Sequence, residues 1–182
     1  MTPDDDRSGP DEADRVVRVI DASGGIAGPY CAKVLADAGA EVFKVGAGDV
    51  RDPWSIRSSG LRDHLDLAKR PINGELAHAA TGADIVVAGL DCDVVGLRAA
   101  HPSLVVVTVT PFGTDGPWRD RAASEFTLQA AVGSTGQRGL PEDVPLAAGG
   151  RLGEWITGTY AAVAGLVVLF FTGYKRRRAV SR

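Results

Sequence analysis

The stretch Val19–Val45, VIDASGGIAGPYCAKVLADAGAEVFKV, decides the fold. It continues a β-branched run, Arg15–Asp21, that is typical of a buried strand. A glycine-rich turn follows at Ser23–Pro29, and then a segment with helical spacing, Tyr30–Ala38, that ends at a glycine. A second strand is predicted at Glu41–Val45. A strand, a helix and a strand in this order predict a parallel sheet with a right-handed crossover.

The rest of the chain continues this alternation. We predict two more strands and three helices: Ala83–Ala88 and Leu104–Thr110 as strands, and Asn73–Thr81, Glu125–Val132 and Glu154–Phe171 as helices. Gly46–Lys69 is interpreted as irregular because glycine and polar residues predominate in it. The pattern predicts an α/β fold with a Rossmann-like open parallel sheet flanked by helices.

Composition limits the class of protein. The 182 residues suffice for one domain with its own core, and the net charge of -3 does not indicate a nucleic-acid-binding surface. Cys31 and Cys92 lie far apart and the three histidines are scattered, so no metal site is predicted. Residues 1–14 are predicted to be a disordered leader that lacks the apolar core of a signal peptide. With free thiols, this favours a cytoplasmic location.

The glycine-rich turn after the first strand suggests a phosphorylated ligand at the N-terminus of the next helix. The motif SGGIAGP is not GxGxxG, however, and Pro29 occupies the first turn of the helix. Composition and spacing alone therefore indicate an α/β domain compatible with such a ligand, and no particular chemistry.

Five segments in the same order resemble CoA-transferase family III, which includes formyl-CoA transferase and carnitine CoA-transferase. They are Val19–Val45 with its AGP turn, LDL at Leu65–Leu67, ADIVVAGL at Ala83–Leu90, HPSLVVVTVTPFGTDGPWRDR at His101–Arg121, and LGEWITGTYAAVAGLVVL at Leu152–Leu169. The resemblance covers nearly all of the chain from Val16 to Leu169. It assigns residues 15–171 to one Rossmann-like domain and residues 172–182 to a basic tail.

The resemblance implies an enzyme that moves CoA between an acyl-CoA thioester and a carboxylic acid. In this family an aspartate attacks the acyl-CoA, and a thioester between enzyme and CoA forms as an intermediate. Acyl-CoA and a carboxylate are then the substrates, with no tightly bound cofactor. Two chains of the family interlock as a dimer.

The catalytic aspartate of the family corresponds to Glu154, at the start of the last predicted helix. A helix N-terminus stabilises an ionised carboxylate by about 0.3–1 kcal/mol. A glutamate in the first turn of a helix is also a common capping residue, so a structural role stays open. Glutamate is one methylene longer than aspartate, and a displacement of ~1 Å is able to cost roughly 100-fold in rate.

Five further residues are assigned to CoA binding by the same resemblance: Ala27, Gly28, Leu65, Asp66 and Glu125. Two of these assignments have a structural alternative. Glu125 follows Ser124 and fits the N-terminus of a helix, and Gly28 with Pro29 fits a tight turn. The basic segment that contacts phosphate in the family is replaced here by SSGLRDH, which leaves Arg57, Arg62 or Lys69 as substitutes.

Three other interpretations were weighed. Racemases of α-methylacyl-CoA share this fold, but their histidine would align with Ser124, which argues against racemisation. The change from Asp to Glu fits a catalytically inactive scaffold. Trp155–Tyr174 lacks charged residues and precedes Lys175–Arg178, as in a transmembrane helix. Its threonines and glycines favour a buried core helix instead and argue against a membrane partner.

Family members are longer than this chain, and the resemblance fades at Thr172. We therefore expect the family fold to be incomplete here. A homodimer, or a complementary C-terminal half, is expected to supply the remainder.

Overall fold

The computed structural model describes residues 15–46 and 59–180, in which five strands alternate with six helices. The strands are β1 (Arg18–Ala22), β2 (Glu41–Val45), β3 (Arg70–Ile72), β4 (Ile85–Ala88) and β5 (Val105–Thr108). The helices are α1 (Ala27–Asp37), α2 (Ser59–Asp66), α3 (Leu76–Ala79), α4 (Val94–Ala100), α5 (Glu125–Ala131) and α6 (Leu152–Val180). The leader assigned to residues 1–14 lies outside the described residues, and the domain boundary at residue 171 stays a prediction.

The five strands form one parallel sheet in the order β3-β2-β1-β4-β5. β1 is central, because Val19 pairs with Val42 of β2 on one side and with Ile85 of β4 on the other. The chain runs outward from β1 to β3 and then returns to place β4 on the opposite side of β1. Such a reversal opens a crevice at the carboxyl ends of the two strands. The predicted Rossmann-like α/β fold is confirmed.

Helices cover both faces of the sheet. On one face Val19, Val42 and Ile85 pack with Leu35 of α1 and Ala162 of α6. On the other face the core comprises Ile20, Ala79, Ala80, Val86, Ala88, Leu97 and Leu104. Successive side chains of a strand point to opposite faces, and a strand covered on both faces is apolar throughout. This explains why all four residues of β4 are buried.

Two elements of the sheet's β3 edge correct the sequence prediction. The segment interpreted as irregular, Gly46–Lys69, contains α2, and Arg70–Ile72 forms β3 beside β2. Pro71 lacks an N–H group, which is tolerated in an edge strand. α4 was not predicted either, and its N-terminus is capped by Asp93, whose carboxylate accepts a hydrogen bond from the Gly96 amide at 2.9 Å.

Helix α6 is longer and less buried than predicted. It begins two residues before Glu154 and continues to Val180. One narrow stripe, Gly158, Ala162 and Gly165, is buried against α1 and the sheet. Apolar side chains elsewhere on the helix are exposed: Ile156, Tyr160, Val163, Leu166, Val167, Val168, Phe170 and Phe171. The expectation of a buried core helix is therefore wrong for most of its surface.

The apolar part of α6 also meets the length and composition of a membrane span. Leu152–Gly173 has a mean hydropathy of 1.7, and only 17% of its apolar window is buried. Core helices of soluble proteins satisfy the same two criteria, so this single helix is weak support for a membrane span.

Candidate active site

The candidate site lies at the turn between β1 and α1, at the carboxyl edge of the sheet. Ile26 is the N-cap residue of α1 and uses no side chain of its own to cap the helix. Its backbone N–H instead donates to Glu154 Oε2 at 3.0 Å. In a capping box, a glutamate of the same helix reaches back to the N-cap N–H. Here the glutamate comes from α6, so the first turns of two helices meet at one carboxylate.

The second oxygen of Glu154 is held by Arg151, the residue that directly precedes α6. Arg151 Nε donates to Glu154 Oε1 at 2.5 Å, and the side chain of Glu154 is 12% exposed. Arg151 has a φ of 56°, in the left-handed region that residues with a side chain rarely adopt. This conformation places the guanidinium of Arg151 beside the carboxylate three residues later. Glu154 is consequently an oriented, ion-paired carboxylate that remains partly open to solvent.

Glu125 is to α6 what Glu154 is to α1. It belongs to the first turn of α5, and its carboxylate binds the N-terminus of α6. Its Oε1 accepts a hydrogen bond from the Gly153 amide at 2.7 Å, at the N-terminus of α6, and from Gln129 Nε2 at 2.8 Å. Its Oε2 is buried without a hydrogen-bond partner in the described part of the chain. A Cβ on Gly153 would lie 2.8 Å from Glu125 Oε1, so a larger residue there would require this carboxylate to shift.

Ser124 caps α5 and Glu125 lies in the first turn behind it, as the structural alternative for Glu125 expects. Its hydroxyl accepts from the Thr127 amide at 3.2 Å, and Thr127 Oγ1 accepts from the Ser124 amide at 2.7 Å. This capping box satisfies the start of α5 and leaves the carboxylate of Glu125 to act on α6. The serine that replaces the racemase histidine is thus engaged in local structure.

Aromatic packing holds the start of α6 against α1. The rings of Tyr30 and Trp155 meet edge to face, with their centroids 4.7 Å apart. Trp155 Nε1 also donates to the Gly150 carbonyl at 3.1 Å. Further along, a Cβ on Gly158 would lie 2.5 Å from the Ala27 carbonyl oxygen. The backbones of α1 and α6 therefore approach closely, which fixes the distance between Glu154 and the turn.

Ala27 and Gly28, assigned to CoA binding, lie beside Glu154 but are buried. The carbonyl of Ala27 faces Gly158, and the space beside Gly28 is filled by Ser23, whose Oγ would be 2.2 Å from an added Cβ. Protein atoms therefore account for the need for a small residue at position 28. The role of these two residues in binding CoA stays a prediction.

Leu65 and Asp66 are not part of the same group. Leu65 is 1% exposed and belongs to the interior. Asp66 accepts a hydrogen bond from Lys69 Nζ at 2.8 Å, and Lys69 Nζ also donates to the Pro29 carbonyl at 2.9 Å. The lysine therefore joins α2 to α1 on the side of the turn that faces β2. Binding of adenosine by Leu65 and Asp66 stays a prediction.

Lys69 cannot serve as the substitute phosphate ligand in this conformation. Its side chain is 1% exposed, and its ammonium group uses all three donors, the third one on Asp21 Oδ2 at 2.8 Å. Arg57 lies outside the described residues. Arg62, the third candidate for a phosphate ligand, lies on the exposed surface of α2.

Asp21 is the residue of this region whose role the sequence did not reveal. It is fully buried at the end of β1 and is ion-paired with Lys69 and, at 3.2 Å, with Lys44. Burial acts to raise the pKa of Asp21. The charges of Lys44 and Lys69, with hydrogen bonds from Lys69 and Ser23, outweigh this and lower the pKa below its usual value. An acidic residue that ends an apolar strand was the signal available.

The cysteines and histidines offer no alternative chemistry at this turn. Burial, followed by the charge of Asp21, raises the pKa of the Cys31 thiol to about 12 although Lys69 opposes the shift, so no reactive thiolate is available near neutral pH. Burial and Asp93 also raise the pKa of Cys92. Among residues 15–46 and 59–180, no group of three or more His, Cys, Asp or Glu side chains could hold a metal ion.

Two surface cavities lie elsewhere on the described chain. One, of about 360 Å³, is lined by Val16, Gly39, Ala40, Glu41, Val42, Ala68 and Arg70. The other, of about 370 Å³, is lined by Phe112, Trp118, Arg121, Ala122, Phe126, Thr127, Ala130 and Ala131. Neither of these cavities is lined by Glu154 or Glu125.

Comparison with known proteins identifies the family of the chain. The family model of CoA-transferase family III matches residues 16–60 and 79–178. The chain is 28% identical over 179 residues to the succinyl-CoA–D-citramalate CoA-transferase of Chloroflexus aurantiacus, covering 84% of this chain and 44% of that protein. It is 28% identical over 180 residues to the beta subunit of the succinyl-CoA–L-malate CoA-transferase of the same organism, with the same two coverages.

A solved structure gives the same result. The crystal structure of a CAIB/BAIF family protein from Brucella suis superimposes with a TM-score of 0.76 at 25% identity, covering 87% of this chain and 49% of that chain. The chain therefore spans about half the length of the relatives that it matches.

Proposed function

Because the chain belongs to CoA-transferase family III, we propose that it carries the nucleophile-bearing part of an enzyme that transfers CoA from an acyl-CoA thioester to a carboxylic acid. The relatives from Chloroflexus aurantiacus are named for succinyl-CoA and for the carboxylic acids D-citramalate and L-malate. These names support an acyl-CoA donor and a carboxylate acceptor for this chain. A cytoplasmic location, where CoA thioesters are available, accords with the proposal.

The observation that carries the proposal is the position of the Glu154 carboxylate. It is bound to the Ile26 N–H, directly after the carboxyl end of β1. The strand order reverses between β1 and β4, and ligands of open α/β sheets bind in the crevice at such a reversal. The position of this carboxylate and the 12% exposure of its side chain support the proposal that Glu154 reacts with a bound thioester.

The proposed reaction has four steps. A carboxylate oxygen of Glu154 attacks the thioester carbonyl of the donor, which forms a mixed anhydride and releases CoA thiolate. The thiolate attacks the glutamyl carbonyl, which gives a glutamyl-CoA thioester and releases the donor carboxylate. The acceptor carboxylate attacks this thioester, forming a second anhydride and thiolate. Attack of the thiolate on the acceptor carbonyl yields the new acyl-CoA and regenerates Glu154.

The neighbours of Glu154 have defined roles in these steps. If Oε1 forms the new bond, Glu154 loses its charge and the guanidinium of Arg151 is released from the ion pair. Oε2 becomes the carbonyl oxygen and keeps the hydrogen bond from the Ile26 N–H. That N–H then stabilises negative charge on Oε2 while the thiolate attacks, as an oxyanion-hole donor does.

We further propose that another polypeptide surface completes the site. The exposed apolar side chains of α6 form an unusually large uncovered surface for a helix of a globular protein. This helix also carries Glu154 at its start. A second copy of the chain, or a complementary C-terminal half, would cover the apolar surface and provide walls around Glu154. The relative that is named as a beta subunit supports an assembly of different chains.

A second candidate function is a catalytically inactive scaffold. Both glutamates already perform a structural task, since Glu154 binds the N-terminus of α1 and Glu125 binds the N-terminus of α6. The glutamate at position 154 also replaces the aspartate expected from the family. A scaffold would keep both hydrogen bonds and the assembly, and would form no covalent intermediate.

Trapping the covalent intermediate separates the two functions. The purified chain is incubated with succinyl-CoA, quenched with hydroxylamine, and digested for mass spectrometry, beside the variants Glu154→Gln and Glu142→Gln. Glu154→Gln removes the nucleophile, whereas Glu142 lies in an exposed loop. We expect a hydroxamate on the peptide that contains Glu154, in the unchanged chain and in Glu142→Gln only.

If no hydroxamate is found, calorimetric titration of the chain with CoA shows whether the ligand still binds. Micromolar binding without an adduct would support a scaffold that retains the ligand site. A folded chain that neither binds CoA nor forms the adduct would refute the enzymatic proposal for this chain alone.

A further inference from the structure

The two ends of the β1–α1 turn are tied to one buried group of charges. Oδ1 of Asp21 accepts hydrogen bonds from the Ser23 amide at 3.0 Å and from Ser23 Oγ at 2.5 Å. Lys44 Nζ reaches the Ser23 carbonyl at 2.5 Å and Asp21 Oδ1 at 3.2 Å. The amide, the carbonyl and the side chain of Ser23 are therefore all held by this group, which fixes the start of the turn.

Lys69 holds the other end of the turn. Its ammonium group binds Asp21 Oδ2 at 2.8 Å and the Pro29 carbonyl at 2.9 Å. Pro29 lies in the first turn of α1. A single buried lysine thus joins the end of β1 to the start of α1. Both side chains of the Asp21–Lys69 pair are at most 1% exposed, so water does not weaken the interaction.

The middle of the turn is closed by packing. Ser23 fills the space beside Gly28, and an added Cβ at position 28 would lie 2.3 Å from the Cβ of Ser23. Ile26, between these fixed points, is 2% exposed and directs its N–H at Glu154 Oε2. The direction of this N–H therefore depends on how residues 23 and 29 are held.

We infer that Asp21, Lys44 and Lys69 form a positioning cluster, which orients the Ile26 N–H and thereby sets where the Glu154 carboxylate lies. None of the three touches Glu154, so they act through the turn. The inference rests on the proposed function only in treating Glu154 as the nucleophile. The geometric claim, that the cluster controls one particular hydrogen bond, can be tested without any activity.

Hydrogen exchange at neutral pH tests the geometric claim. Ser23→Ala removes one bond of the cluster, and Lys69→Met removes the tie to Pro29. The amide of Ile26 is compared with that of Val86, in the buried strand β4, which reports global stability. Arg70→Met is the matched control, because Arg70 follows Lys69 and forms an exposed ion pair with Glu41.

We expect Ser23→Ala and Lys69→Met to accelerate exchange at Ile26 by about tenfold more than at Val86, since the Ile26 N–H loses its aligned acceptor. Arg70→Met should leave the ratio of the exchange rates at Ile26 and Val86 unchanged. Equal acceleration at Ile26 and Val86 would show that the cluster contributes to stability alone, and would overturn the inference.

A second measurement separates this inference from the proposed function. The hydroxamate yield at Glu154 is measured in Ser23→Ala under the same conditions. If Ser23→Ala accelerates exchange at Ile26 more than at Val86 and also lowers the hydroxamate yield, the positioning cluster and the enzymatic role are both supported. Selective exchange when the unchanged chain forms no adduct supports the positioning cluster and contradicts the enzymatic role. An unchanged yield despite selective exchange would show that Glu154 does not depend on the cluster.

Discussion

The strand side and the helix side of the β1–α1 turn hold their carboxylates in opposite ways. On the strand side Asp21 is fully buried and compensated by two lysines. On the helix side Glu154 is 12% exposed, with one arginine and one backbone N–H as partners. The difference shows that two carboxylates beside the same turn can have very different environments, one buried and paired with two lysines and the other partly open to solvent. Exposure to solvent distinguishes the two carboxylates, since the side chain of Glu154 is 12% exposed and Asp21 is fully buried.

The largest loss of stability is expected when the ion pair on the strand side of the turn is removed. Lys69→Met leaves Asp21 buried with Lys44 as its remaining charged partner. Removing one member of a buried ion pair typically costs about 3–5 kcal/mol of the free energy of unfolding, because the other charge stays desolvated. Urea unfolding followed by circular dichroism measures this loss.

The matched control for Lys69→Met is Arg70→Met, whose exposed pair with Glu41 should contribute at most about 1 kcal/mol. The double variant Asp21→Asn, Lys69→Met should lose less than the sum of the single losses, since the residues are in contact. Additive losses would contradict a direct interaction between Asp21 and Lys69.

The stability that ionised Asp21 contributes on the strand side should depend on pH. Its pKa is lowered in the folded chain, because the two lysines outweigh the effect of burial. The resulting stability is present above the unfolded pKa of about 3.9 and is lost as the pH falls through the folded pKa. We therefore expect Asp21→Asn to cost less stability at about pH 3 than at about pH 7.

Urea unfolding of the unchanged chain and of Asp21→Asn at both pH values provides the test. The difference between the two proteins should shrink in acid. A difference that stays constant across this range would mean that ionisation of Asp21 does not contribute to folding.

A smaller effect is expected on the helix side, where α6 brings Glu154 to the turn. Gly158→Ala places a methyl group 2.5 Å from the Ala27 carbonyl oxygen, and backbone atoms cannot rotate away. We expect a loss of about 1–3 kcal/mol, as for other overpacked sites. Gly173→Ala is the control in the same helix, because an added Cβ there meets nothing within 4 Å.

Gly173→Ala should stabilise the helix by about 0.5–1 kcal/mol, since alanine loses less conformational entropy than glycine. Thermal unfolding of the two variants gives the comparison. Equal effects of both substitutions would indicate that α6 does not pack on α1 as described.

The outcome of the sequence predictions follows the range of the interactions involved. β2 was predicted with its observed bounds, and α5 to within one residue, since valine and phenylalanine mark the strand locally and an N-cap serine marks the helix. β3 was missed because three residues containing a proline carry no strand periodicity, and pairing with β2 alone makes them a strand. α2 was missed because its sequence is mostly polar.

The range of the interactions also explains why the sequence identified only some residues of the candidate site. Glu154 and Glu125 were identified through the family resemblance, and the structure places them at the N-termini of α1 and α6 respectively. Lys69 was one of three candidate substitutes for a phosphate ligand, with Arg57 and Arg62, and its burial beside Asp21 argues against that role. Nothing in the neighbouring residues of Lys69 distinguishes a buried lysine from an exposed one.

By itself the sequence determined the strands with β-branched runs, the glycine turn after β1, and membership of CoA-transferase family III. The tertiary structure alone decided which charges meet. Lys69 reaches Asp21 across 48 residues, and Glu154 reaches Ile26 across 128. Local periodicity reports which face of an element is buried, whereas such contacts depend on the order of the strands and on how closely α6 approaches α1. They exist only once the sheet has assembled and Gly158 of α6 has allowed the two helices to pack closely.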